Sequence, residues 1–333
     1  MKKFLNDPVN FVDEMLEGIY RAHPELSYVD NDKRCMVKTN KKPGKVGIAT
    51  GGGSGHLPLF LGYIGEGMLD GAAVGGVFQS PSSEQMYQVT KAIDQGAGVL
   101  YIYGNYSGDI INFDMAAELA DLDGIAVKQV VGNDDVASSV VGEEHKRRGV
   151  AGIYFVYKVA GAAAEKLLSL DEVTRLADKA RLRTRTMGVA LSSCVVPEIG
   201  HATFSIGEDE MEIGMGIHGE PGISRKKLAN ADAVIDELMG RIFAEQDYKQ
   251  GDEVAVLVNG LGGTPLEELY IMFRRVSQLF DERGVKVKHV WLGEFATSME
   301  MAGASISVLH LDDELEPLVA ASANTPFFKH IAG

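Results

Sequence analysis

The stretch Val46-Gly47-Ile48-Ala49-Thr50-Gly51-Gly52-Gly53-Ser54-Gly55-His56 decides the fold class. Val46–Ala49 reads as a short buried strand. It runs into a glycine-rich loop closed by His56, and a helix is expected to follow from about Pro58. Working outward, residues 72–78 read as a second apolar strand, and Ser80-Pro81-Ser82 opens a helix running to Gln95. Val99–Tyr103 is a third strand, ending in Gly104-Asn105-Tyr106-Ser107-Gly108-Asp109. A helix from Asn112 to Leu122 and a strand over Ile125–Val131 continue the pattern. Strands alternating with helices of about ten residues or more predict βαβ units and a mostly parallel sheet. Ligands of such sheets bind beyond the carboxyl ends of the strands, which is where the 50–56 and 104–109 loops lie.

Residues 8–21 carry Val9, Val12, Leu16 and Ile19 at helical spacing, whereas 22–45 is polar and turn-rich. Residues 152–168 are Ala-rich and helical, and Ser169 with Glu172 forms a capping box for a helix to Leu182. The polar run Thr184–Met187 is the expected boundary between two α/β domains, 1–185 and 186–333. Their sheets are expected to be mostly parallel or mixed, with the substrate site at the cleft between them. In the second half, strands are expected over 189–196, 211–217, 285–292 and 306–309. Thr264-Pro265-x-Glu267 combines an N-cap, a proline at the first helical position and a capping box. Apolar residues at helical spacing then run from Leu266 to Phe280.

The 333 residues suit two domains, and 45% hydrophobic with 24% charged residues is the balance of a soluble globular protein. A net charge of −15 argues against nucleic-acid binding and against docking on anionic membranes. No run approaches the ~20 apolar residues that span a bilayer. Asp7, Pro8, Asp13 and Glu14 interrupt any leader-like segment behind Lys2-Lys3. Cys35 and Cys194 stand far apart with no CxxC, so neither a disulfide framework nor a zinc site is expected and a cytoplasmic location is. The basic tract at 177–185 reads as a solvated helix face.

Glycine is the compositional anomaly. An average share would give roughly 23, and this chain has 39, clustered around loops. Gly51–His56 fails the dinucleotide fingerprint and the nucleophile elbow, both of which need glycine at 56, and it lacks the Gly-Lys-Ser/Thr of a phosphate loop. A tight turn would explain one glycine better than three in a row. His56 at such a loop can hydrogen-bond a substrate or shuttle a proton. Asp109 reads either as a helix N-cap or as a base accepting a hydroxyl proton in phosphoryl transfer. His218, in Gly214-Met215-Gly216-Ile217-His218-Gly219-Glu220-Pro221-Gly222, has glycines on both sides that thin the packing around an imidazole able to act as a nucleophile. Asn259-Gly260-Leu261-Gly262-Gly263 reads either as cleft lining or as a plain turn.

Taken together, TGGGSGH at 50–56, VFQSPSS at 77–83, NYSGDIINF at 105–113, MGIHGEPG at 215–222 and VNGLGGTP at 258–265 resemble the substrate-binding K subunit of dihydroxyacetone kinase across essentially the whole chain. The resemblance implies a two-domain α/β homodimer in which the His218 imidazole captures a short ketose as a hemiaminal. Asp109 would be the general base, with His56 beside the hydroxyl that receives phosphate. Gly53 would donate its backbone N–H, and Ser54 and Gly104 would line the substrate. It further implies that the chain binds no cofactor or metal itself. ADP or ATP with Mg2+ would sit on a separate L subunit, which a phosphotransferase-system protein recharges where ADP stays bound. With no L-type domain, the chain resembles the stand-alone K form.

Two positions depart from the family pattern. Gly104 stands where a lysine is usual, and Leu57 where a glutamate is usual. Loss of a charged side chain beside the pocket implies room for a four- or five-carbon ketose such as erythrulose. A ketose-sensing coactivator without kinase activity is the alternative from a different class, and a nucleotide-binding enzyme using the glycine loop directly is a third.

Overall fold

The computed structural model describes residues 2–202 and 204–332; the outer limits 1 and 333 of the two expected domains lie outside the described residues. Six strands form the first sheet: β1 (Leu26–Val29), β2 (Asp32–Lys38), β3 (Gly47–Ser54), β4 (Gly71–Val77), β5 (Val99–Gly104) and β6 (Val127–Gly132). Their order is β1-β2-β4-β3-β5-β6. β3, β4, β5 and β6 run parallel, so their carboxyl ends open on one side. β1 and β2 are antiparallel additions. They lie in the segment read as turn-rich, and the two-residue turn between them has positive φ at both Asp30 (53°) and Asn31 (55°), as primed hairpin turns require.

Seven longer helices accompany the sheets: α1 (Phe11–Ala22), α2 (Ser83–Ile93), α3 (Ser107–Leu122), α4 (Ile153–Glu165), α5 (Leu170–Leu182), α6 (Ala231–Glu245) and α7 (Leu266–Asp281). α2 begins with a complete capping box between Ser82 and Gln85. At α5 only the Ser169 arm is made, accepting from the Glu172 N–H at 3.3 Å. α4 is buried from Ile153 to Ala164. An all-round apolar helix of this kind belongs inside a protein, and its alanines and Gly161 allow close approach. A Cβ on Gly161 would stand 2.4 Å from the Gly67 carbonyl oxygen.

The second sheet has the order β11-β10-β12-β7-β8-β9. It comprises β7 (Thr184–Ala190), β8 (Glu210–Ile213), β9 (Ser224–Lys227), β10 (Glu253–Gly260), β11 (Lys286–Glu294) and β12 (Gly303–His310). Only β10 and β11 pair in parallel, so this sheet is mixed and largely antiparallel. One core joins Ile48, Leu100 and Ile102 of the first sheet, helix α4, and Ala255, Leu257 and Leu309 of the second. Leu311, Leu315, Leu318, Val319, Ala323 and Phe328 return from beyond the second sheet to enter that same core.

Several local expectations need correction. No α-helix starts near Pro58; the chain makes turns and a short 3-10 segment over Leu61–Tyr63, and Phe60 has φ 67°, which a helix cannot hold. Helix α3 starts at Ser107 rather than Asn112, so Asp109 lies in its first turn and Tyr106, not Asp109, is the N-cap. The polar run at 184–187 begins a buried strand that stops at Ala190 rather than Val196. Its hydroxyls are satisfied internally, Thr184 donating to the Ala180 carbonyl (2.8 Å) and Thr186 to Ser307 (2.7 Å). Thr264 donates to the Gly303 carbonyl (2.6 Å) and accepts from its N–H (2.9 Å), so it ties α7 to β12 instead of capping the helix.

Candidate active site

Four parallel strand ends supply one wall. β3 leads into Gly55-His56, β4 into Phe78, β5 into Tyr106 and Asp109, and β6 into the loop holding Asp135 and Arg148. The second sheet supplies the other wall. His218 and Glu220 stand on the loop of the β8–β9 hairpin, and Thr297 and Met299 on the connection from β11 to β12.

His56 is fully buried, with its Nδ1 2.7 Å from the Thr297 carbonyl oxygen. A carbonyl only accepts, so Nδ1 carries the proton and Nε2 presents a lone pair. That Nε2 has no hydrogen-bond partner. Burial, reinforced by neighbouring His218, holds the imidazole down at about 3 against the pull of the Thr297 carbonyl and Glu220. Thr297 is itself held in place. Asn259 donates to the Ala296 carbonyl (2.9 Å) and accepts from the Phe295 and Ala296 N–H groups (2.8 and 2.9 Å), while the Met299 N–H reaches the Gly55 carbonyl at 2.7 Å. Asn259 therefore fastens the second sheet to the glycine loop, and the 259–263 motif is more than a turn.

His218 is ringed by aromatic faces. Its ring centroid lies 4.8 Å from His56, 5.3 Å from Phe78 and 4.7 Å from Tyr106, all edge to face. Phe78 also stacks on His56 at 4.8 Å and 23°. Phe78 has φ 59°, uncommon for a bulky residue and frequent where a site constrains the backbone. Among the described residues, Glu220 supplies the hydrogen bonds that hold His218: Oε1 lies 2.9 Å from Nδ1, and Oε2 accepts the His218 backbone N–H at 3.0 Å. Burial opposes ionisation of Glu220, but the hydrogen bond and charge of His218, then Arg148, outweigh it and hold the carboxyl at about 2.

Asp109 is 7% exposed, and its Oδ1 also lacks a partner. Burial raises it to about 6, against the hydrogen bond from Ser80 and the attraction of His218. Two unsatisfied buried acceptors thus flank a carboxylate-backed imidazole. Such atoms are rare in native proteins and call for a ligand or water.

The other expected residues sit differently. Ser54 is buried and its hydroxyl donates to the Gly75 carbonyl at 2.5 Å, tying β3 to β4. Gly53 packs on the chain after β4, where a Cβ would lie 2.7 Å from both the Phe78 Cα and the Gln79 nitrogen. Gly104 lies under Tyr106, and a Cβ there would be 2.9 Å from the ring edge. Leu57 lines a cavity of ≈ 380 Å³ with Phe4, Phe11 and Met15, which shares Gly55, Thr297 and Met299 with the walls of the site. Phe78, Tyr106, Glu220, Thr297 and Arg148 were not singled out from the sequence, although the first three lie within the quoted motifs. Among the described residues no cluster of three or more metal-ligating side chains occurs, and no helix is long and apolar enough to cross a membrane.

The Dak1 domain model matches residues 17–327. The chain belongs to the Dak1 family. Among Dak1 relatives, it is 48% identical over 331 residues to the PTS-dependent dihydroxyacetone kinase 2, dihydroxyacetone-binding subunit DhaK, of Listeria innocua, covering 99% of each chain. It is 42% identical to the D-erythrulose kinase of Mycolicibacterium smegmatis, covering 100% of this chain and 58% of that protein. The solved structure of the dihydroxyacetone kinase operon co-activator Dha-DhaQ superposes with a TM-score of 0.90 at 32% identity, over 96% of this chain and 98% of that one. The Dak1 fold accounts for the two six-stranded sheets described above.

Proposed function

We propose that the chain is the ketose-binding subunit of a dihydroxyacetone-type kinase. Support comes from the unpartnered Nε2 of His56, whose ring lies 4.8 Å from the Glu220-backed imidazole of His218, together with the unpartnered Oδ1 of Asp109, which is near enough for His218 to lower its pKa. With its proton on Nδ1, His218 offers the Nε2 lone pair to the ketose carbonyl carbon. The C–N bond forms as the C=O π bond breaks, the oxygen takes up a proton, and Glu220 balances the charge left on the ring. A hemiaminal results. Capture distinguishes a ketose from a polyol, which has no carbonyl, and fixes the terminal hydroxyl for transfer. Asp109, ionised above about pH 6, accepts that hydroxyl's proton, and His56 hydrogen-bonds the same end of the substrate. The phosphoryl group would come from ATP with Mg2+ on a separate L subunit docked over this mouth, leaving ADP that is exchanged or, where it stays bound, recharged by a phosphotransferase-system protein, in a homodimeric, cytoplasmic assembly. Transfer then needs positioning more than new protein chemistry.

The test is carbon-13 NMR of the purified protein with carbonyl-labelled dihydroxyacetone, beside His218→Ala. A tetrahedral bound carbon that requires His218 supports capture, and its absence with both dihydroxyacetone and erythrulose overturns it. Gly104 favours a variant of this reading. With no side chain at that position, and with a D-erythrulose kinase 42% identical, the site suits a four-carbon ketose. The co-activator likeness favours a second reading, a ketose sensor; turnover with an added L subunit decides between sensor and enzyme.

A further inference from the structure

We propose that Arg148 is a positioning residue for His218, acting through Glu220; this rests on the capture reading above. Arg148 is fixed on three sides. Its Nε and Nη2 donate to Asp135 Oδ2 at 2.9 and 2.8 Å, and Nη2 also donates to the Gly214 carbonyl at 2.9 Å. Its backbone N–H donates to Ser138 Oγ at 2.9 Å. The guanidinium therefore spans from the loop after β6 to the first residue of the hairpin loop that carries His218. Its remaining nitrogen, Nη1, lies 3.9 Å from Glu220 Oε2. The side chains of Arg148 and Asp135 are 14% and 4% exposed, so water screens this pair weakly, while Glu220 at 31% keeps part of its surface in water.

The consequence concerns a tautomer. An ionised carboxylate can only accept, so Glu220 Oε1 obliges His218 to hold its proton on Nδ1 and leaves the lone pair on Nε2. Arg148 adds its charge to that of His218 in favouring the ionised Glu220, and its approach to Oε2 helps to keep that oxygen on the His218 N–H. Gly216 permits the arrangement. A Cβ there would stand 2.1 Å from Glu220 Oε2 and 2.5 Å from Arg148 Nη1. Outer partners of this kind set the tautomer and basicity of an imidazole, and their loss typically costs about 10–100-fold in function.

The experiment uses the full-length protein with 15N-labelled histidine at pH 7.5 and reads the His218 tautomer by long-range proton–nitrogen correlation. Dihydroxyacetone affinity is measured on the same samples. Wild type is expected to hold the Nδ1–H form. Arg148→Met and Gly216→Ala are expected to populate the Nε2–H form and to weaken ketose binding at least about tenfold, with Arg148→Lys restoring part of both. Gly216→Ala gives a second variant if Arg148→Met does not fold, because the atoms nearest its methyl are side-chain ends, Glu220 Oε2 and Arg148 Nη1, and not backbone. An unchanged tautomer, with affinity within about twofold of wild type, overturns the proposal, and so does a changed tautomer without loss of binding. If wild type itself binds no ketose, the capture reading fails, while the tautomer comparison still decides the role of Arg148.

Discussion

The His56 and His218 rings meet edge to face with their centroids 4.8 Å apart, one presented by the first sheet and the other by a hairpin of the second. Two imidazoles this close disfavour a double charge, and the buried one yields. His56, held down at about 3, stays neutral at every physiological pH. Its Cε1 carbon is expected to show no titration between pH 5 and 8 in an NMR pH series. A midpoint within that range would remove His56 as a constant hydrogen-bonding group.

Asp109 carries the pH dependence. If Asp109 is the base proposed above, its raised value, about 6 against 3.8, should make phosphoryl transfer rise as pH increases through 6. Asp109→Asn should lower the transfer rate by about 10²–10⁴-fold and abolish that limb in a pH–rate profile. The same group strains the fold. Because the folded protein binds its proton more tightly than the unfolded chain, the stability this proton brings is present below about pH 4 and lost as pH rises through 6. Asp109→Asn is therefore expected to be more stable than wild type at pH 7 by on the order of 2 kcal/mol, with the difference vanishing near pH 4, in urea melts at both pH values.

Gly104 is expected to tune the width of the pocket through Tyr106. A methyl at 104 would press on the Tyr106 ring, which lies 4.7 Å from His218. Gly104→Ala should raise KM for erythrulose more than for dihydroxyacetone, by roughly threefold to tenfold if about 1 kcal/mol is lost, with little change in melting temperature. Equal effects on the two ketoses would show that this position does not select chain length.

Glycines here differ in their roles, and paired substitutions separate them. Gly53→Ala meets the Phe78 and Gln79 backbone at 2.7 Å, which cannot rotate away, and should cost at least about 2 kcal/mol. Gly18→Ala, within α1 and with nothing inside 4 Å, should stabilise by about 0.5–1 kcal/mol. Chemical denaturation of both variants checks the contrast.

Much of the site was legible because its residues follow apolar strands. Val46–Ala49 and Val99–Tyr103 announce β3 and β5, and the segments after them hold His56 in a loop and Asp109 in the first turn of α3. Position along the chain does not report encounters between sheets. Nothing local to Arg148 indicates that it faces Gly214, 66 residues away, and nothing in Phe295-Ala296-Thr297 indicates that its carbonyl would orient His56. The β7 strand hid behind threonines whose hydroxyls are satisfied internally, so a polar pattern concealed a buried strand. The segment after Pro58 hid behind apolar residues that read as helical, although Phe60 takes a left-handed turn there.

The residues from Leu311 to Phe328 come after the second sheet yet fill the core beneath the first. In a chain made from its N-terminus, these side chains are added well after the strands β1–β6 whose core they complete. The first sheet is therefore expected to bury that part of its interior only once they have joined it.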